Sequence, residues 1–408
     1  MSRTASVVIA QGGGPTPVIN ASLLGVVRQA ARELGAGGEI WGARNGITGV
    51  LQNCWLDLRK VSGQWWDQIA ASPGSALGSC RKMLNAEEAA RAVSTLKQKD
   101  VRYFFYIGGN DSMDTALKMN LAALELRYEM VCCGIPKTID NDLPLTDHCP
   151  GFASAARFIA QSAADLGMDI RSLPTPVSVL EVMGRDAGWL VAATLLARKD
   201  PDDAPHLIYV PEIPLILEKF LSDVQAVYDR LGWVVVAVSE GVRDEGGQNW
   251  SGRRDEKTTD DFGHRLPGDV AATLASLVTS ELGLRARSEK PGLLGRSSAM
   301  MVSSVDRREA EEVGAFGLAW ARKGNTGFMA SIERQPGPAY RVSYGAVPLQ
   351  EVAGQTRLLP LDYIADNQND IRPEYHAYVE PLIGGPLAPY ARLDTAPFGC
   401  NNLTTRGQ

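Results

Sequence analysis

The chain of 408 residues carries only four histidines and six cysteines, and no two of the cysteines form a C-x-x-C pair. That scarcity excludes the common zinc and dithiol designs, which need clustered soft ligands at short spacing. Cys54, Cys80, Cys132, Cys133, Cys149 and Cys400 are read as reduced thiols, and His148, His206, His264 and His376 stand at no helical metal spacing. Nowhere do about eighteen apolar residues run together, so no membrane-spanning helix is expected. The apolar stretch at residues 7–10 is too short for the core of a secretory signal, and a cytoplasmic location is expected. Positive charge is not in excess either. A net charge of -6 and a pI near 5.4 argue against a nucleic-acid surface and leave any anion site to local construction.

What is present is the composition of an ordinary globular enzyme, with 45% hydrophobic and 22% charged residues. The length exceeds what one core usually supports, so two compact domains are expected. A buried strand at 6–10 is followed by Gln-Gly-Gly-Gly-Pro at 11–15 and a helical pattern. The same grammar returns with a strand at 103–107, Gly108-Gly109-Asn110-Asp111-Ser112 and a helix to about 126. A third strand, 130–135, ends at Pro136-Lys137-Thr138-Ile139-Asp140-Asn141-Asp142. A second set begins with a strand at 177–182 running into Met183-Gly184-Arg185, and continues to a strand at 233–238 closed by Ser239-Glu240-Gly241. Alternating strands and helices predict parallel sheets, whose ligands bind beyond the carboxyl ends of the strands. The fold class is therefore α/β with two doubly wound, Rossmann-like domains facing across a cleft. Residues 1–150 are expected to form the first domain, with a return segment at about 285–325, and 151–284 the second. Beyond 326 the chain is punctuated by Pro and Gly with weak periodicity and is expected to be a C-terminal extension.

A glycine run between strand and helix lets backbone N–H groups approach a phosphate, although a tight turn explains residues 12–14 equally well. Ser112 is explained by helix capping. The third loop is more informative, because Lys137, Thr138, Asp140 and Asp142 fall within six residues directly after a buried strand. An aspartate there can accept the proton of an attacking hydroxyl, and a lysine can neutralise a transferring phosphoryl. A solvated charge cluster is the alternative.

These motifs, in this order and approximate spacing over residues 6–325, resemble the phosphofructokinase family. The resemblance implies that Asp140 takes the proton from the 1-hydroxyl of fructose 6-phosphate, with Thr138 beside it and Asp142 in support. It implies that Met183, Gly184 and Glu240 contact the sugar, that Arg185 touches the transferring phosphoryl, and that Gly13, Gly109 and Arg81 line the donor site. Arg287 and Arg296 match positions that grip the 6-phosphate. Magnesium is the implied cofactor; pyrophosphate and fructose 6-phosphate are the implied substrates, no nucleic-acid or membrane partner is expected, and the loss at Pro176 of an arginine that reaches a neighbouring subunit favours a homodimer.

Asp111 and Lys137 stand where ATP-dependent members of the family have glycine. The resemblance is therefore to the pyrophosphate-dependent type, and the Asp-Phe-Gly-His run at 261–264 points the same way. A carboxylate at 111 would occupy the space of a nucleotide's α-phosphate and repel it, whereas pyrophosphate ends short of it. Lys137 would stabilise charge developing between the two phosphates. Asn110 replaces the usual magnesium-binding aspartate, Pro176 an arginine that reaches a neighbouring subunit, and Leu293 a histidine near the 6-phosphate. Asn110 and Asp142 are the candidate metal ligands, and Tyr375 or Tyr378 could substitute for the histidine unless they pack in the core. Two other readings remain at this point: an ATP-dependent 6-phosphofructokinase, and a non-catalytic regulatory subunit or sugar-phosphate sensor.

Overall fold

The computed structural model describes residues 6–250 and 269–393, so the run at 261–264 lies outside the described residues. Eleven strands are described: β1 (Ser6–Gln11), β2 (Glu39–Ala43), β3 (Trp55–Asp57), β4 (Val101–Gly108), β5 (Val131–Pro136), β6 (Val177–Val182), β7 (Leu207–Tyr209), β8 (Val234–Ser239), β9 (Ala286–Glu289), β10 (Phe328–Arg334) and β11 (Val342–Pro348). They form two sheets, β11-β10-β5-β4-β1-β2-β3 and β7-β8-β6-β9. The second sheet is wholly parallel. The first is parallel across its centre and carries an antiparallel strand at each edge.

The central strands β1, β6 and β8 are buried along their whole length, because helices cover both faces of each sheet. Continuous apolar runs such as Val234–Ser239 satisfy that demand, where an alternating pattern would leave one face polar. The helix Ile19–Leu34 lies against the helix Ser304–Ala321 on one face of the larger sheet. Their backbones approach closely enough that a Cβ on Gly25 would fall 1.9 Å from the Glu311 carbonyl oxygen, and one on Gly314 2.3 Å from that of Ser22. Glycine is what permits the crossing.

The C-terminal part returns to the larger sheet through Ser304–Ala321, β10 and β11, whereas Ala286–Glu289 closes the smaller sheet as β9. Beyond β11 the chain packs its apolar side chains, from Leu359 to Leu387, into one core with the helix Phe152–Ile170 and with Trp189 to Ala197. Tyr375 is fully buried there and donates a hydrogen bond to the Trp189 carbonyl, and Tyr378 donates to the Asp147 carbonyl at 2.7 Å. Both tyrosines are packing aromatics around Trp189 and do not stand in for a phosphate-binding histidine.

Candidate active site

Three adjacent strands of the larger sheet deliver three loops to one edge. β1, β4 and β5 lie side by side, Gln11 beside Ile107 and Gly108 beside Pro136. The loops stay in register just past the sheet: the Gly12 amide donates to the Ile107 carbonyl at 2.9 Å, and the Lys137 amide to the Gly108 carbonyl at 3.0 Å. Gly13 has φ +72°, a left-handed conformation that glycine adopts without strain. Ser79 donates to the Gly13 carbonyl at 2.6 Å, which carries the segment bearing Arg81 to the same place. That segment is held in turn by Gln11, whose amide oxygen accepts from the Leu77 amide at 2.9 Å, and by Asn20, which donates to the carbonyls of Ser72 and Gly74. Neither Ser79 nor Asn20 stood out in the sequence, although a buried asparagine inside an apolar helix face was a signal that could have been read.

Lys137 is buried and its Nζ donates to the Gly14 carbonyl at 2.6 Å. On the other side of the loop, Arg296 brings Nη1 to 2.4 Å from where a Gly14 Cβ would lie. Two cations thus crowd one glycine loop. Burial, and then the charge of Arg296, hold the Lys137 ammonium down to about 8, against the partial support of Asp142 and Asp140. Burial and the neighbouring Arg81 likewise hold Arg296 below its ordinary value. An anion placed between them would relieve both costs.

Asp140 follows Lys137 by three residues, its backbone N–H donating to Thr138 Oγ1 at 3.0 Å. One carboxylate oxygen of Asp140 and one of Asp142 are enclosed without a hydrogen-bond partner. Burial above all, then the charges of Asp142 and Glu240, hold Asp140 well above the usual carboxylate range, while Lys137 and Arg185 oppose the shift. Burial raises Asp142 as well, against a hydrogen bond from Thr138. Buried carboxyls raised in this way beside cations are suited to proton transfer or cation binding.

The smaller sheet supplies the facing side. β6 and β8 are neighbours, and the Glu240 amide donates to the Val182 carbonyl at 2.9 Å, which sets Glu240 beside the Met183-Gly184-Arg185 turn. Glu240 Oε1 accepts from the Gly184 amide at 3.3 Å, Ser239 Oγ donates to the Gly184 carbonyl at 2.5 Å, and Arg185 Nε is enclosed without a partner. Glu240 is raised chiefly by burial, and its charge in turn acts on Asp140. The charges of Asp140 and Glu240 both act on Arg296, so side chains from the loops of both sheets lie within electrostatic reach of one another. Asp111 occupies the first turn of the helix Asn110–Glu125 at the rim, with Gly109 as its N-cap.

Two residues sit elsewhere than their neighbours in sequence suggest. Arg287 is on the exposed edge strand β9, away from the loops. Asn110 is occupied: its Oδ1 accepts from the Gly354 amide at 2.7 Å and its amide nitrogen donates to the Gln355 carbonyl. Among the described residues no group of three or more His, Cys, Asp or Glu is arranged to hold a metal, and no helix is long and apolar enough to cross a membrane.

The family model for phosphofructokinase matches residues 6–320. The chain belongs to the phosphofructokinase family. Similar curated members include the pyrophosphate--fructose 6-phosphate 1-phosphotransferase of Rhodospirillum rubrum, 41% identical over 396 residues that cover 95% of this chain and 96% of that one. A sulfofructose kinase from Alkalicoccus urumqiensis is 32% identical over 383 residues, 93% of this chain and 96% of the relative. Among solved structures, the pyrophosphate-dependent phosphofructokinase of Marinobacter aquaeolei superposes with a TM-score of 0.84 at 37% identity, covering 95% of this chain and 94% of that one. The phosphofructokinase fold expected from the sequence is the fold observed.

Proposed function

We propose that this phosphofructokinase-family enzyme transfers a phosphoryl group from pyrophosphate to the 1-hydroxyl of fructose 6-phosphate, giving fructose 1,6-bisphosphate and phosphate. The observation that carries the reading is the cationic pair Lys137 and Arg296 set against the Gly14 loop, with Asp140 three residues from the lysine. Asp140, raised by its dry surroundings, accepts the hydroxyl proton as oxygen attacks phosphorus. Thr138 holds the loop through the Asp140 amide. Lys137 and Arg185 neutralise the transferring group, Gly13, Gly109 and Arg81 line the donor side, and Asp111 repels a nucleotide's α-phosphate. Met183, Gly184 and Glu240 hold the sugar. Arg296 spans donor and sugar, whereas Arg287, on the β9 edge away from these loops, takes no part in this chain's own site; a homodimer is expected, seen in sedimentation as twice the 43.9 kDa chain mass. One phosphoanhydride is exchanged for one phosphomonoester, so the reaction runs in both directions.

Magnesium fits the residues present. Asp142, with an enclosed carboxylate oxygen lacking any partner, offers a hard oxygen ligand beside the donor, whereas Asn110 has both side-chain polar atoms committed to 354 and 355. Bound there, the ion would neutralise phosphate charge.

The test is a side-by-side assay of purified protein with magnesium and fructose 6-phosphate, supplied with pyrophosphate or ATP, and a parallel arm with sulfofructose as acceptor. Turnover with pyrophosphate and fructose 6-phosphate is expected. A protein that works only with ATP, prefers sulfofructose, or releases no phosphate at all overturns the reading. Replacing both Asp111 and Lys137 by glycine is expected to raise ATP use, and an unchanged ATP rate with pyrophosphate activity intact would remove these residues from donor selection.

A further inference from the structure

The segment 354–359 lies beyond the part of the chain that the family model matches, yet it touches the loops on both sides of the site. At its first end, Gly354 and Gln355 hold both polar atoms of Asn110, the first residue of the donor-side helix. In its middle, the Arg357 amide donates to the Asp142 carbonyl at 2.7 Å. The Arg357 guanidinium donates to the Asn141 carbonyl from Nε at 3.1 Å and Nη2 at 2.8 Å, and from Nη1 to the carbonyls of Thr146 at 2.6 Å and Asp147 at 2.8 Å. It also stacks 4.4 Å over the Trp189 ring, whose Nε1 donates to the Arg357 carbonyl at 3.1 Å. At the far end, Glu212 Oε1 accepts from both the Leu359 amide and the Gly188 amide at 2.8 Å, which ties the strap to the turn following Met183-Gly184-Arg185.

Such a fork of donors fixes a loop in one geometry, since a planar guanidinium meets several carbonyls only in a narrow range of positions. Asn141 itself has φ +57° and is fully buried, so the backbone between Asp140 and Asp142 does not adopt this shape by default. We propose that Arg357 is a positioning residue for phosphoryl transfer: it holds the 140–147 loop, while its flanking residues hold the donor helix and the sugar turn at a fixed separation. Misplacing a reacting group by about 1 Å is enough to slow an enzyme on the order of 10²-fold. The inference rests on the proposed phosphoryl transfer for its kinetic readout only.

The experiment compares wild type, Arg357→Ala and Arg357→Lys with magnesium, pyrophosphate and fructose 6-phosphate, with and without millimolar guanidinium, alongside hydrogen–deuterium exchange of the peptide 138–147. Both variants are expected to lose kcat on the order of 10²-fold while each KM moves less than about threefold. Guanidinium is expected to restore Arg357→Ala and not Arg357→Lys, and exchange protection in 138–147 is expected to fall in both. Wild-type kcat in Arg357→Ala, or unchanged protection of 138–147, overturns the proposal. Should Arg357→Ala fail to fold, Asn110→Ala frees only the exposed donor end of the strap. A loss of kcat at constant KM is then expected, and unaltered kcat overturns the proposal. If the wild type transfers nothing from pyrophosphate, the functional reading fails, and the exchange measurement still decides the strap.

Discussion

Asp140 and Lys137 are three residues apart and are pushed in opposite directions by the same dry environment, the carboxyl up and the ammonium down. Replacing Asp140 by Asn keeps the shape and removes the proposed base. kcat is expected to fall by about 10²–10⁴-fold with little change in either KM, measured by coupled fructose 1,6-bisphosphate production. For Lys137 the sign follows from its value of about 8: the ammonium is charged below it and loses its proton as pH rises through it. Asp140, held well above the usual carboxylate range, must lose its proton to act as the proposed base, so the free enzyme's kcat/KM should follow a narrow bell that falls on the alkaline side near pH 8, and Lys137→Arg should move that alkaline limb upward. A limb unchanged in Lys137→Arg would assign the titration elsewhere. The residue types here were legible in the sequence because they cluster within one loop, whereas the occupation of Asn110 was not, since its partners are 244 and 245 positions away.

At the scale of elements, the approach of the loops depends on how closely the helices pack. A Cβ on Gly314 would meet backbone, the Ser22 carbonyl oxygen, and backbone cannot turn aside as a side-chain tip can. Gly314→Ala is expected to destabilise the fold by about 1–3 kcal/mol, seen as a lower thermal midpoint, with an Ala at exposed Gly63, which meets nothing, as the neutral control. The strand, loop and helix units that carry the site loops were readable from apolar periodicity, whereas β2, the helix Phe152–Ile170 and β10 were not read. Short pieces such as β9 and the edge strands β3 and β11 were not, because a few residues at a sheet edge carry no distinctive pattern.

For the molecule as a whole, His148 joins the active-site half of the chain to the returning helix. It is buried, with Nδ1 2.8 Å from Asp147 and Nε2 2.8 Å from Glu309, and these carboxylates raise it to about 9 against the cost of burial. Its folded value exceeds its unfolded one, near 6.5, so the stabilisation is complete below about pH 6.5 and is lost as pH rises through about 9. The thermal midpoint of the wild type is expected to fall over that window, and His148→Gln should flatten the fall; an equal slope in both would rule out this histidine as its source. The sequence by itself determined the α/β class, the family and the polar loops of the candidate site, because these are local: a strand end, its glycines and its charges are contiguous. Only the tertiary structure decided that Arg296 lies against Gly14, that Asn110 is bound by the C-terminal strap, and that Arg357 supports the loop of Asp140. Those contacts join segments hundreds of residues apart, and no periodicity in a chain records which distant residue will fill the space beside another.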